Sequence, residues 1–248
     1  NQKKNRPQRT VGLFFNVSTP LNDHQLISLN VSALICILSI TVYRKEKSQG
    51  ATFLAVGTPE TLSKDMVIIA KYDTESNEDQ TVFIHEQGDT SLPALRTELV
   101  YRDTCSRHYK LGGGKRVWFR IRRLKCPHCK VLHRELPDVL APFKHYRLDI
   151  IMGMLDGSLT TDDLKYENYP CEKTVERWKA WLEQNRTDID GYIKSAGYRL
   201  LGYGEGLLYS TVSLLEKMMC SVDNWLGIIL RMIYNSGGRL RPFPSQRG

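Results

Sequence analysis

The spacing of apolar residues changes period near residue 140. Upstream, Met66–Ala70 (MVIIA) and Thr81–His85 (TVFIH) are short apolar runs of strand length. They are separated by the polar, turn-rich stretch Asp73–Gln80. Leu99–Arg102 and Arg116–Lys125 flank the turn Lys110-Leu-Gly-Gly-Gly-Lys115. In the second of these, Val117, Phe119, Ile121 and Leu124 are set against Arg116, Trp118, Arg120, Arg122 and Arg123. Period-two alternation on either side of three glycines predicts a half-buried hairpin with a cationic outer face.

Beyond Pro137 and Pro142 the period becomes helical. Tyr146, Ile150, Ile151, Met154 and Leu155 fall on one face, and Asp156-Gly157 supplies a stop. Thr160 or Thr161, followed by Asp162 and Asp163, predicts the start of a short second helix. Tyr169-Pro170 opens a third, running to about Asn185 on a stripe of Val175, Trp178, Trp181 and Leu182. Two more stripes follow: Leu207, Leu208, Val212, Leu215 and Met219, then Trp225, Ile228, Ile229, Met232 and Ile233. Gly237-Gly238 closes the last helix, and a proline-rich basic tail follows.

Residues 1–65 show no sustained period, and the first methionine is Met66. Residues 1–65 are therefore set apart as a leader of uncertain status, with translated upstream sequence as one hypothesis. Within it, Leu26–Tyr43 lacks charge and precedes Arg44, Lys45 and Lys47, the minimum for a membrane helix. Five Ser, Thr and Asn residues dilute that run, so a span is not the expectation. The expected fold class is α+β. A small β-rich zinc-ribbon-like module spans 66–140, a helix-turn-helix 141–190, and a C-terminal helical pair with a basic tail 191–248.

Composition sharpens the choice of partner. The formal charge is +8, the pI about 9.2 and the mean hydropathy −0.36, which favours a polyanionic partner over a membrane-embedded chain. The six cysteines do not form the even pattern of a secreted disulfide scaffold, so a cytoplasmic setting is expected.

Only Cys126 and Cys129 are closely spaced. Cys105-Ser-Arg-His108 and Cys126-Pro-His-Cys129 would be two ligand pairs at the ends of a hairpin, as a structural zinc ribbon requires. His133 and His128 are substitute ligands, and a relic or buried cysteine pair is the bland alternative. Between Arg107 and Arg134 there are ten Lys and Arg residues without one Asp or Glu, interleaved with Tyr109, Trp118 and Phe119. That single-sign run marks Arg116, Arg120, Arg122, Arg123 and Lys125 as phosphate-binding candidates. On the third helix, Lys173, Arg177, Ala180 and Gln184 face away from Trp178. Lys173, Thr174, Arg177 and Gln184 are therefore candidates for base and phosphate contacts in a major groove. No Ser/His/Asp set, phosphate loop or helical H-E-x-x-H is present. The carboxylates Asp149, Asp156, Asp162, Asp163, Glu167 and Glu172 crowd predicted helix ends, where capping accounts for them.

From about Leu99 to Trp181 the chain resembles an uncharacterised bacterial family associated with mobile elements (DUF6431-like). The stretches that carry the resemblance are L-V-Y-R-D, I-R-R-L-K-C-P-H-C-K-V-L-H-R-E-L-P-D, F-K-H-Y, D-G-S-L and Y-E-N-Y-P-C-E-K-T-V-E-R-W-K-A-W. The pattern is similar to the zinc-finger-plus-helix-turn-helix front ends of insertion-sequence transposases, which implies DNA handling by analogy. The expectation is a non-enzymatic protein that binds double-stranded DNA, a transposition accessory or regulator. Its C-terminal helices would serve a homo-oligomer or a transposition partner. The rivals are a transposase or nuclease fragment, and an assembly protein without DNA affinity.

Overall fold

A computed structural model describes residues 66–70, 72–76, 81–86, 91–92, 97–111, 115–128, 130–163, 170–201 and 204–242. The leader 1–65, with its uncharged run, lies outside the described residues. Among the described residues the architecture is mixed α+β, a curled six-stranded sheet with five helices.

The sheet is organised around β7 (Arg116–Lys125). Strand β6 (Val100–Lys110) runs antiparallel along one edge of β7, from Lys110↔Arg116 to Val100↔Lys125. The other edge is shared. Strand β3 (Thr81–Glu86) pairs in parallel near its start, with Thr81 opposite Trp118. Strand β8 (Leu132–Pro137) pairs antiparallel near its end, with Arg123 opposite Arg134. Outside these lie β2 (Tyr72–Ser76) on β3 and β1 (Met66–Ile69) in parallel on β8. Strands β4 (Ser91–Leu92) and β5 (Thr97–Glu98) form a separate two-stranded ladder. The polar stretch Asp73–Gln80 was expected as turn, yet most of β2 forms within it. Its residues are mostly exposed, so pairing with β3 rather than burial defines the strand.

All four residues of β1 are buried, which fits its unbroken apolar run. Its outer edge is met by a side chain: Asn235 accepts from the Ile68 amide at 2.8 Å and donates to the Ile68 carbonyl at 2.9 Å. One carboxamide thus satisfies both backbone groups of an edge-strand residue.

Helix α1 (Leu148–Asp156) ends where the sequence predicts, at Gly157, whose φ of +82° is left-handed. The expected second helix is not formed at Thr160–Asp163. That segment is a turn, in which the Asp163 carboxylate accepts from the Thr160 amide at 2.9 Å. Residues 164–169 lie outside the described residues.

Helix α2 (Glu172–Leu201) runs thirty residues, well past the predicted end at Asn185. Its apolar stripe continues through Ile189, Ile193 and Ala196. Asn185 is itself fully buried. It donates to the Trp181 carbonyl at 2.8 Å and accepts from the Arg241 amide at 2.7 Å. The predicted Leu207-to-Met219 stripe splits into α3 (Gly206–Tyr209) and α4 (Leu214–Ser221). Ser213 caps α4 by accepting from Glu216 N, and Asp190 of α2 accepts from the Leu214 and Leu215 amides. Helix α5 (Trp225–Asn235) lies against β1. One cluster of buried side chains runs from Met66 to Leu240 and includes residues from all three segments separated in the sequence reading.

Candidate nucleic-acid interface

The predicted zinc ligands are not gathered as the ribbon motif requires. Cys105 lies opposite Ile121 and His108 opposite Trp118, in the middle and far part of the hairpin. At ~3.4 Å per residue, Cys105 is about 17 Å along the ladder from Cys126, and His108 about 27 Å. Cys105 and His108 therefore do not form a second pair with Cys126. The reason is the register: β6 runs eleven residues, so its C-x-x-H lies inside the strand and not at its end. Cys126 sits in the β7–β8 turn, which is closed by Cys126 N donating to Val131 O at 3.0 Å and Lys130 N donating to Cys126 O at 3.0 Å. His133 lies opposite Leu124, which places it diagonally from Cys126 on the same face. Cys126 and His133 are both buried, His128 is exposed, and Cys129 lies outside the described residues. Among the described residues no three His, Cys, Asp or Glu side chains converge.

The single-sign run is also reshaped. Two of its arginines meet carboxylates from just beyond its ends. Arg122 makes a bidentate contact to Glu135, with Nη2 donating to Oε1 at 3.0 Å, and Glu135 is 1% exposed. Arg123 makes a bidentate contact to Asp103, and those hydrogen bonds hold the Asp103 carboxyl below the usual carboxylate range. Arg107 is turned inward, where Nη2 donates to Ala141 O at 2.8 Å and Lys144 O at 2.9 Å. These three arginines hold structure together. The sequence run from Arg107 to Arg134 concealed the pairing because Asp103 and Glu135 lie outside it.

What remains outward is a narrower face. Arg116, Trp118 and Arg120 alternate along β7 and are all exposed, Trp118 at 42%. Their cross-strand partners are Lys110, His108 and Ser106, and Arg120 donates to the Ser106 hydroxyl at 3.0 Å. His108 packs on Trp118 with centroids 4.8 Å apart and stacks on His145 at 5.1 Å. Burial lowers the pKa of both histidines. His145, Arg116, Lys110 and Arg107 depress His108 further, and Arg107 and Lys110 do so for His145. Both rings are therefore neutral at pH 7. Lys125 is also exposed, at the other end of the strand.

The third-helix candidates lie as the helical period requires. Lys173, Arg177 and Gln184 are exposed, while Val175, Trp178, Trp181 and Leu182 are buried. Arg177 folds back on its own helix, donating to Lys173 O and to the Thr174 hydroxyl, both at 3.1 Å. Thr174 also contacts Cys171 Sγ at 3.2 Å. The two basic elements are linked through Tyr146, whose ring meets Trp178 edge-on at 4.9 Å. On the hairpin side, Lys110 Nζ lies 5.5 Å from the Tyr146 centroid. Sequence reading missed Tyr146 and His145 as parts of this surface. The only available signal was their position between two prolines and the first helix.

Residues 93–178 match the model of a family described as Domain of unknown function (DUF6431), so a DUF6431 domain is found there. It contains the hairpin, β8, α1 and the first two turns of α2, and with them every candidate named above except Gln184. No curated protein and no solved structure matches the chain.

Proposed function

We propose that the chain is a non-enzymatic DNA-binding protein whose interface joins the outer face of the hairpin to the first turns of α2. The observation that carries this reading is the exposed row Arg116, Trp118 and Arg120, linked through Lys110 and Tyr146 to the helix that bears Lys173 and Arg177. Cations spaced along a strand suit phosphates, whose neutralisation gives binding a steep salt dependence. A role in transposition rests on the motif resemblance alone, and so does any helix-turn-helix mode of reading bases by α2.

A structural zinc in the β7–β8 turn belongs to the same reading, with Cys126, Cys129 and His133 as ligands. Thiolate and imidazole donors suit zinc, which would staple the end of the hairpin, and a fourth ligand is needed to close its tetrahedral shell. Metal content of the purified chain tests it.

The experiment for the main reading is a duplex titration at several salt concentrations. Binding whose logarithm falls steeply with the logarithm of salt supports it. Salt-independent binding, or none, overturns it. Trp118 favours a second reading, in which an unpaired base stacks on its exposed ring beside His108. A single strand that competes better than the duplex would select that reading.

A further inference from the structure

On the inner side of the Ala141–Lys144 turn is a cavity of about 250 Å³. The turn lines it with all four of its residues, of which Lys144 carries the charge. Phe143 has a φ of +58°, a left-handed conformation that a bulky residue adopts only when its surroundings impose it. Arg107 imposes it by donating to the carbonyls on both sides, Ala141 and Lys144. Phe143 is thereby turned outward to 49% exposure, and Lys144 inward to 6%. The Lys144 ammonium lies 3.6 Å from the centroid of Trp181. Leu230 and Tyr234 of α5 line the cavity, and the segment after α5 contributes Arg239 and Arg241.

The charges of the lining are one-sided. Lys144, Arg239 and Arg241 are cations, and among the described lining residues there is no Asp or Glu. Arg241 is paired with Asp188 at 3.1 Å, and Arg239 lies over the Phe143 ring at 5.6 Å. The Lys144 ammonium itself faces an aromatic ring. We propose that this cavity binds a small organic anion with a flat apolar body. Its carboxylate would meet Lys144, and its body would pack among Trp181, Tyr234 and Leu230. The volume lies just below the ~300 Å³ at which ordinary small-molecule sites begin, so the ligand is about the size of a single substituted ring. The described lining offers no carboxylate to hold a cationic ligand.

The electrostatics agree with the geometry. Burial, and then the charge of Arg107, bring the Lys144 pKa down to about 7, against the attraction of the Trp181 face for the charged form. An anion in the cavity would restore that charge, so above pH 7 its binding takes up a proton. The other groups facing Lys144 do not confuse this readout. The charged groups around it are the guanidinium groups of Arg107, Arg239 and Arg241, and burial raises the Tyr234 pKa so that it stays neutral.

The test is isothermal titration of the full chain at pH 8 with phenylacetate, and with neutral phenylacetamide, in two buffers of different ionisation enthalpy. The expected result is saturable phenylacetate binding at least tenfold tighter than the amide, with net proton uptake. Lys144→Met should abolish both the preference and the uptake. That variant removes a buried charge while keeping an apolar stem, so it is expected to fold. If it does not, the unaltered chain still decides, because affinity for the anion should fall about tenfold per pH unit above the Lys144 pKa. Equal binding of acid and amide overturns the proposal. So does pH-independent affinity, binding unchanged in a folded Lys144→Met, or no saturable binding of phenylacetate.

Discussion

Arg120 and Arg122 are two residues apart on one strand and were indistinguishable as phosphate candidates in the sequence, yet their replacement should have opposite consequences. Arg120 is exposed, and its side chain donates to the Ser106 hydroxyl. Arg122 holds Glu135, a carboxylate at 1% exposure, through two parallel hydrogen bonds. Removing one partner of a buried ion pair leaves the other charge stranded and costs about 3–5 kcal/mol. The Arg122 side chain is 31% exposed, so water can reach the vacated position, and the low end, about 3 kcal/mol, is the expectation. For a chain of this size that corresponds to a fall of roughly 6–12 °C in melting temperature. Arg120→Met should cost less than about 0.5 kcal/mol, as exposed substitutions do.

Urea denaturation of the two single variants measures the difference directly. The double variant Arg122→Met/Glu135→Leu supplies the control. With both charges gone it should recover most of the loss, because the cost lies in the stranded carboxylate and not in lost volume. DNA titration should give the reverse order. Arg120→Met lowers the log–log salt slope by about one, and Arg122→Met leaves it unchanged. Equal urea midpoints for Arg120→Met and Arg122→Met would refute the assignment of Arg122 to structure. A lowered salt slope in Arg122→Met would refute its exclusion from the interface.

Trp178→Ala should destabilise the chain by about 3–5 kcal/mol, since the indole is 2% exposed and packs edge-on against Tyr146; calorimetry reads the loss. Asn235→Ala removes both side-chain hydrogen bonds to Ile68, at about 1 kcal/mol each, and hydrogen exchange at the Ile68 amide should quicken while the centre of β7 stays protected. His108 and His145 have lowered pKa values in the folded chain, so the unfolded chain binds more protons as pH falls below about 6.5. Their contribution to stability is complete above that pH and is lost as pH drops through the folded values. A His108→Gln/His145→Gln variant should flatten that acid limb. If the proposed interface is correct, the wild-type chain should also bind DNA more tightly as the two rings become charged.

The parts of the fold legible in the sequence are those in which one local period controls burial. The alternation in Arg116–Lys125 gave β7, the stripe from Ile150 to Leu155 gave α1, although Tyr146, counted on the same stripe, precedes the helix and bridges to Lys110, and Asp156-Gly157 gave its stop because the left-handed position there favours glycine. What the sequence hid is governed by partners far along the chain. Strand β8 carries Leu-His-Arg-Glu-Leu-Pro, a mixed run with no clean alternation, and it is a strand because β7 and β1 flank it. The predicted end of α2 at Asn185 failed for a related reason. Asparagine is a poor helix former on its own, but this one is held by the Trp181 carbonyl and the Arg241 amide, fifty-six residues away.

The candidate site divides along the same line. Exposure of Lys173, Arg177 and Gln184 follows from a single helical period counted from Trp178, and it was readable. Whether an arginine on β7 faces solvent or a carboxylate depends on strand register, which local sequence does not fix when both faces carry charge. Arg122 and Glu135 meet because β8 pairs with β7 at Arg123↔Arg134, and Arg123 meets Asp103 because the hairpin holds one register from Lys110↔Arg116 to Asp103↔Arg123, short of the bulge at Tyr101. A shift of one residue of β6 or β8 would have turned Asp103 or Glu135 to the other face and released those guanidinium groups. The cationic run is therefore necessary for the proposed interface but does not define it. The pairing register selects which members of the run, Arg116 and Arg120 among them, are presented to a polyanion.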